Sequence, residues 1–271
     1  MSQLWILQSN LRDHEEELRA MVAALQGLYL PWAAIPVLPF EEHLRDVEWD
    51  GPRVFYGSCS LVKKVAAEAR QSDPIFFDDR TFRPSFWGRT LGERWLNHNA
   101  VFTTVEDLLT DLVRYGISSD TVFIRPDADL KAFVGQVIDL RDAEKLLEGW
   151  SAGFANFDRS LPILVAHLQE IYNETRVWMV GGEAVAAVQY KQLGKRVIQL
   201  HDDLPPGMKH FAEECAWRFG SSNPVFVLDV AETPAGMKVV EINSFHASGF
   251  YHPDAVLPVV RAVSNYVAKF Y

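Results

Sequence analysis

Two short runs near the C-terminal end hold the densest chemistry of the chain: Val225-Phe-Val-Leu-Asp229 and Val239-Val-Glu241-Ile-Asn243. Side chains alternate between the faces of a strand, so Glu241 and Asn243 share one face. A hairpin centred near Ala235 sets Asp229 opposite Glu241 on that face. Two carboxylates opposed across strands repel, and flanking Val, Phe and Leu deny them water. A cation would relieve the repulsion. Two carboxylates and an amide oxygen form a hard oxygen set that suits Mg²⁺ or Mn²⁺, with waters and phosphates completing the shell. The same pattern also fits a solvated hairpin face whose acids are simply exposed, and the residues alone leave both readings open.

Three further features could bind a polyphosphate. Arg125 closes the run Phe123-Ile124-Arg125-Pro126-Asp127, and Lys131 follows six residues on. An arginine offers a planar fork to phosphate oxygens and a lysine a point charge, although a strand-end Arg and a surface Lys fit equally. Arg176 stands inside the apolar run Glu174-Thr-Arg176-Val-Trp-Met-Val180. A cation there needs a partner, either a substrate phosphate or Glu174, two residues back on the same face. Leu164-Val165-Ala166-His167-Leu168 could form an edge segment whose backbone reads an adenine, while His167 by itself fits a surface or structural histidine.

These residues need elements to position them. Leu4–Leu7 predicts a strand, with Asn10 able to cap the helix marked by Leu11, Leu18, Met21, Val22 and Leu25. Strands are expected at Ala33–Val37, Arg53–Tyr56 and Ile75–Phe77, and a helix over 60–70 after Gly57-Ser58, with Ser58 reading as its cap. Thr103 is placed to cap a helix running to about Tyr115. This alternation suggests an open α/β unit over residues 1–116. The pattern changes after Gly116. A strand over Thr121–Ile124, a helix over Asp142–Leu147 and a strand from about Ile163 come first. Arg176–Val180 and Glu183–Tyr190 then flank a Gly181-Gly182 turn, a strong hairpin signal. A helix over Phe211–Arg218 precedes the hairpin of the acids. Pro253-Asp254 opens a last helix with an apolar face of Val256, Val259, Val260, Val263 and Val267.

Composition narrows the classes. The 271 residues are 48% apolar and 23% charged, ordinary for a globular protein. No stretch approaches the ~18 apolar residues of a membrane span, and no signal peptide is visible, so a cytoplasmic protein is expected. Lys plus Arg total 26 against 36 acids, a formal charge of −10 without a basic block, which argues against nucleic acid as partner. Cys59 and Cys215 lack metal spacing and read as two free thiols. No Walker-type loop, dinucleotide fingerprint or zinc spacing is present.

Taken in order, Arg125-Pro126 with Lys131, the segment 164–168, Glu174-Thr-Arg176, Asp229 and Glu241-Ile-Asn243 resemble the ATP-grasp superfamily. Arg-Pro stands where Lys-Pro is more common, which resembles the divergent arginine-plus-two-lysines clade. The usual glycine-rich phosphate loop is missing, Ser151-Ala-Gly-Phe-Ala155 being a poor substitute. The resemblance implies an N-terminal pre-ATP-grasp α/β domain over 1–116 and an ATP-grasp fold, α+β in character, over 117–271. It implies ATP and Mg²⁺ (or Mn²⁺) as cofactors, with Asp229, Glu241 and Asn243 on the metal. Arg125, Lys131, Val165, His167, Arg176 and Lys191 would meet the nucleotide, Arg176 and Lys131 acting in catalysis. The activity implied is a carboxylate–amine ligase working through an acyl phosphate, on small-molecule or peptide acids and amines. The alternative implied is a non-catalytic ATP-binding module that assembles a protein partner. A metabolite-binding α/β protein without nucleotide is the reading that remains if the resemblance fails.

Overall fold

A computed structural model of the chain describes residues 2–11, 14–38, 41, 43–111, 120–129, 133–142, 159–201, 204–220 and 223–271. Packing divides it into two compact units, Met1–Asp78 with Ile171–Tyr271, and Asp79–Glu170. This division does not fall at residue 116, where the sequence pattern changes. The reason is pairing: a strand before that point is built into the same sheet as strands after it.

The chain opens with β1 (Leu4–Gln8), α1 (Glu15–Gly27), β2 (Trp32–Ile35), β3 (Arg53–Tyr56) and α2 (Cys59–Glu68). The three strands form a parallel sheet in the order β2-β1-β3. Parallel strands are covered on both faces and so read as unbroken apolar runs; Leu4, Trp5, Ile6 and Leu7 are all buried. Helix α1 starts with Glu15, Glu16 and Glu17, acids that suit the positive end of the helix dipole. Asn10 does not cap it, because the helix begins five residues later. Its amide instead brackets the backbone of Val37, donating to Val37 O and accepting from Val37 N, both at 2.9 Å. Ser58 does cap α2, accepting from Leu61 N. Ile75–Phe77 is not a strand. Phe76 is buried, and its N–H donates to His246 Nε2 at 2.8 Å rather than to a ladder.

The second unit holds α3 (Pro84–Leu91), β4 (Val101–Thr104), α4 (Val105–Asp111), β5 (Thr121–Pro126), β6 (Gln136–Asp139) and β7 (Pro162–Ala166). Its antiparallel sheet runs β4-β7-β5-β6. Val105, Leu108, Val122, Ile124, Ile138 and Ile163 make its core. Thr104, not Thr103, caps α4 through its Oγ1, which accepts from Asp107 N at 3.1 Å. The helix expected over Asp142–Leu147 passes out of the described residues after Asp142, and Ser151–Ala155 lies wholly outside them.

The chain then returns to the first unit with β8 (Asn173–Val180), β9 (Glu183–Gln192), β10 (Lys195–Leu200), α5 (Pro206–Phe219), β11 (Val225–Thr233), β12 (Gly236–Ser244) and α6 (Val256–Phe270). The strands form an antiparallel sheet, β10-β9-β8-β11-β12. The β8–β9 turn is Gly181-Gly182, with φ of +60° and +90°, the left-handed pair that the tightest hairpins require. Trp178, Val180, Val225 and Val227 on one face join Val256, Val259, Val260, Val263 and Val267 of α6 and Trp5, Leu7 and Tyr56 of the parallel sheet in one core. Each valine contributes roughly 1.5–3 kcal/mol by leaving water. The alternate residue Phe226 meets Phe219 of α5 edge-on, ring centroids 4.9 Å apart.

Candidate functional site

The apolar face of the antiparallel sheet ends in charge. Along β8, Arg176 follows Trp178 and Val180 by the strand period, and along β11 Asp229 follows Val225 and Val227. The register sets Asp229 directly opposite Arg176 on one side and opposite Glu241 on the other. The symmetry of the hairpin, in which Thr233 faces Gly236, would by itself set Asp229 against Val240; the second pairing comes from one departure. Asp229 faces Glu241 whereas Val230 faces Val239, so Val240 is an extra residue, a bulge of the kind that re-aims side chains.

Arg176 grips Asp229 through both arms of its fork. Nε donates to Oδ1 and Nη2 to Oδ2, each at 2.8 Å, and both side chains are more than nine-tenths buried. Asn243 Nδ2 donates to Asp229 Oδ2 at 3.2 Å. Arg176 Nη1 donates to Gly249 O at 3.0 Å. The guanidinium lies 4.7 Å from the ring centre of Tyr251, which stacks on Tyr190 at 4.8 Å. Burial would strip the Arg176 proton, but the Asp229 charge and hydrogen bonds outweigh it and hold the guanidinium's pKa above its usual value.

The partner of Arg176 is therefore Asp229, not Glu174. The two candidates differ in reach. Residues i and i+2 on one strand stand almost ~7 Å apart, whereas directly opposed cross-strand residues are about 5 Å apart. Glu174 is instead taken by its own cross-strand neighbour: Lys191 Nζ approaches Oε1 at 2.7 Å, and Tyr190 Oη donates to Oε2 at 2.8 Å. The expected repulsion between Asp229 and Glu241 is thus offset within the chain, because Arg176 neutralises one of the two acids.

The donor set fits a magnesium ion. Asp229 accepts three N–H bonds of the roughly four its two oxygens can take. Asn243 gives Asp229 its N–H₂, which leaves the amide oxygen for a cation. With Glu241 opposite Asp229, the acceptors are two carboxylates and an amide, hard oxygens that suit Mg²⁺ and leave several positions for water and phosphate. Among the described residues no three His, Cys, Asp or Glu side chains gather as a metal cluster; here the third acceptor is Asn243. Beside the constellation lies a cleft of about 770 Å³, lined by His14, Tyr190, Lys191, Arg196, Tyr251 and their neighbours.

The other predicted residues belong to the second unit. Arg125 is buried on β5, opposite Leu164 of β7. The neighbouring Asp127, which the sequence does not single out, is buried and accepts from Ser85 N at 2.8 Å and Ser85 Oγ at 2.6 Å. It satisfies a free N–H at the start of α3. Val165 is not on an edge. Strand β7 lies between β4 and β5, and Val165 faces Val101 and Ile124 across its two ladders, so its backbone has no side open for an adenine. His167 stands exposed just past β7. Lys131 lies outside the described residues. Cys59 and Cys215 are not joined by a disulfide, and no described helix is long and apolar enough to cross a membrane.

Comparison with known proteins adds the family. Among solved structures, the chain resembles D-cycloserine synthetase DcsG with a TM-score of 0.68 at 12% identity, over 98% of this chain and 100% of that one. It resembles D-alanine–D-alanine ligase from Bacillus anthracis complexed with ATP with a TM-score of 0.65 at 9% identity, over 99% and 98%. It resembles the ATP-grasp ligase PsnB complexed with a minimal precursor with a TM-score of 0.59 at 10% identity, over 99% of both chains. At such identities the likeness is one of fold, the α/β ATP-grasp fold along the whole chain. No curated protein matches in sequence. The family model of the ATP-grasp domain, arginine-plus-two-lysines clade, family 3, matches residues 62–263, a span that takes in Arg125, Arg176, Asp229, Glu241 and Asn243, and the chain belongs to that family.

Proposed function

We propose that this chain is an ATP- and magnesium-dependent ligase that joins a carboxylate to an amine. The observation that carries the reading is the cross-strand set on one sheet face: Arg176 forked onto Asp229, Asn243 bonded to the same carboxylate, and Glu241 opposite it. Asp229, Glu241 and Asn243 would hold the ion. When bound, the ion offsets the charge of the phosphates and polarises the one that transfers. Arg176, kept protonated by Asp229, supplies a fixed positive charge beside it. Arg125 and Lys131 are proposed to meet phosphate oxygens, Lys191 to serve as the second lysine, and the segment beginning at His167 to meet the base.

In the proposed reaction a substrate carboxylate oxygen attacks the γ-phosphorus of ATP. The bond to the ADP oxygen breaks, and an acyl phosphate forms. The amine nitrogen then attacks the acyl carbon, the carbon–oxygen bond to phosphate breaks, and the nitrogen loses a proton as the amide forms. The protein's contribution is positioning and preorganised charge, and no side chain is assigned as general base. The cleft lined by Tyr190, Lys191 and Tyr251 is the proposed place for the acid or the amine, because it adjoins Arg176.

The test is covalent product. The protein is incubated with ATP, Mg²⁺ and a small-molecule and peptide fraction, and mass spectrometry looks for a species equal to two components less one water, with equivalent ADP and phosphate. Mg-ATP binding by calorimetry without any condensation supports the assembly-module reading. No heat with millimolar Mg-ATP overturns both.

A further inference from the structure

Glu17 sits in the first turn of α1 beside Glu15 and Glu16, outside the motifs that carry the ATP-grasp resemblance. Its side chain is only 11% exposed. Oε1 accepts from Tyr56 Oη at 2.5 Å, and Oε2 accepts from Phe250 N at 3.0 Å and stands 3.3 Å from His14 Nδ1. The same Tyr56 hydroxyl proton is shared, in a three-centre arrangement, with Ser248 O at 2.8 Å. The backbone of 248–250 is therefore tied down at Ser248 and at Phe250. Between these ties is the Gly249 carbonyl, the acceptor for Arg176 Nη1. The next residue after the ties, Tyr251, holds φ at +60°, a strained conformation for a residue with a side chain, which persists only where the surroundings fix it. Its ring lies against the Arg176 guanidinium.

A carboxylate bonded directly to Arg176 would pull the fork away from Asp229. Glu17 acts at one remove instead, on the backbone that Arg176 uses. Tyr56 remains a donor throughout, since burial and then the Glu17 charge push its hydroxyl well above the usual tyrosine value. We propose that Glu17 is a positioning residue for Arg176, holding through Tyr56 and the 248–251 backbone the carbonyl and the ring that seat the guanidinium on Asp229. This inference rests on the ligase reading, in which Arg176 serves phosphoryl transfer.

The test uses the full chain with Mg-ATP and the small-molecule and peptide fraction of the condensation assay, reading phosphate release. Glu17→Ala should lower kcat about tenfold to a hundredfold, the scale of a displaced catalytic group, with KM for Mg-ATP within about twofold. Glu17→Gln should recover most of the loss, because the amide can accept from Phe250 N and donate to the Tyr56 oxygen. Glu17→Ala added to Arg176→Lys should cost little more than Arg176→Lys alone. Tyr56→Phe, which keeps the ring and its packing, gives the same split in weaker form should Glu17→Ala fail to fold. Unchanged kcat in Tyr56→Phe and Glu17→Ala, or losses that multiply with that of Arg176→Lys, would overturn the inference while leaving the ligase reading intact. Absence of Mg-ATP turnover in the unaltered protein with the small-molecule and peptide fraction present would overturn both.

Discussion

Two buried Arg–Asp pairs of the first unit are built for different ends. Asp73, with no exposed side-chain surface, accepts from six N–H groups of Arg53 and Arg70, three of them on Arg53. Arg53 Nη1 also reaches Asp46 at 3.2 Å. Two arginines meet two acids, and the cluster is closed. Asp229 accepts only three N–H groups, and a second carboxylate, Glu241, stands directly across the strand. A buried ion pair is thus no sign of function in itself. Acceptor capacity left on the aspartate, with another acid and an amide oxygen on the same face, separates the second cluster from the first.

The largest effect expected is on the closed cluster. Asp73→Ala leaves Arg53 buried without its main acceptor, a loss of about 3–5 kcal/mol. Thermal unfolding should show it, while Mg-ATP turnover per folded molecule stays at the wild-type level; a fall in that turnover would erase the distinction. Glu241→Gln should do the reverse. It removes one of the two acids and lowers magnesium-dependent phosphate release about 10²–10³-fold, with a melting temperature close to wild type. A variant with full turnover would show that the second acid has no catalytic part.

Acid sharpens the comparison next. Burial pushes the His246 imidazole down to about 4, against the opposing effect of its hydrogen bond to Phe55 O. The unfolded chain takes up that proton near pH ~6.5, so stability is complete above about 6.5 and falls by about 3 kcal/mol as pH drops towards 4. Asp73 does not share that window. Burial raises its carboxyl, but the hydrogen bonds from Arg53 and Arg70 outweigh burial and hold it below 3.8, so its contribution begins to fade only beneath that value. Melts at about pH 7, 5 and 4, spanning that imidazole's range, should decline in wild type and much less in His246→Phe. The smallest effect is Arg70→Ala, about 1 kcal/mol or less, because Arg70 is partly exposed and Arg53 stays on Asp73.

The contrast also marks how far the sequence was legible. That the runs holding Asp229 and Glu241 form one hairpin could be read, because the two strand patterns follow each other closely, but the two-residue turn alone would set Asp229 opposite Val240, and the expected pairing with Glu241 holds only through a bulge. The bulge at Val240 could not be read, since nothing in Val239-Val240 announces an extra residue. Arg176 and Asp229 lie on strands more than fifty residues apart, and no local pattern gives a register at that range; the sequence offers a substrate phosphate or the nearer Glu174, and the partner within the chain is neither. Val165 looked like an edge for the same reason, because its neighbour β4 precedes it by some sixty residues. Ser58 and the Gly181-Gly182 turn were legible as a cap and a hairpin. Asn10 was not, because its amide serves a backbone twenty-seven residues away.

The first unit is made of two stretches of chain with the whole of the second unit between them. During synthesis, at about 5–20 residues per second, the opening parallel strands wait on the order of ten seconds for the helix and sheet that cover Trp5, Leu7 and Tyr56. A ribosome-bound nascent chain ending before Ile171 therefore holds these apolar side chains without the helix and sheet that cover them.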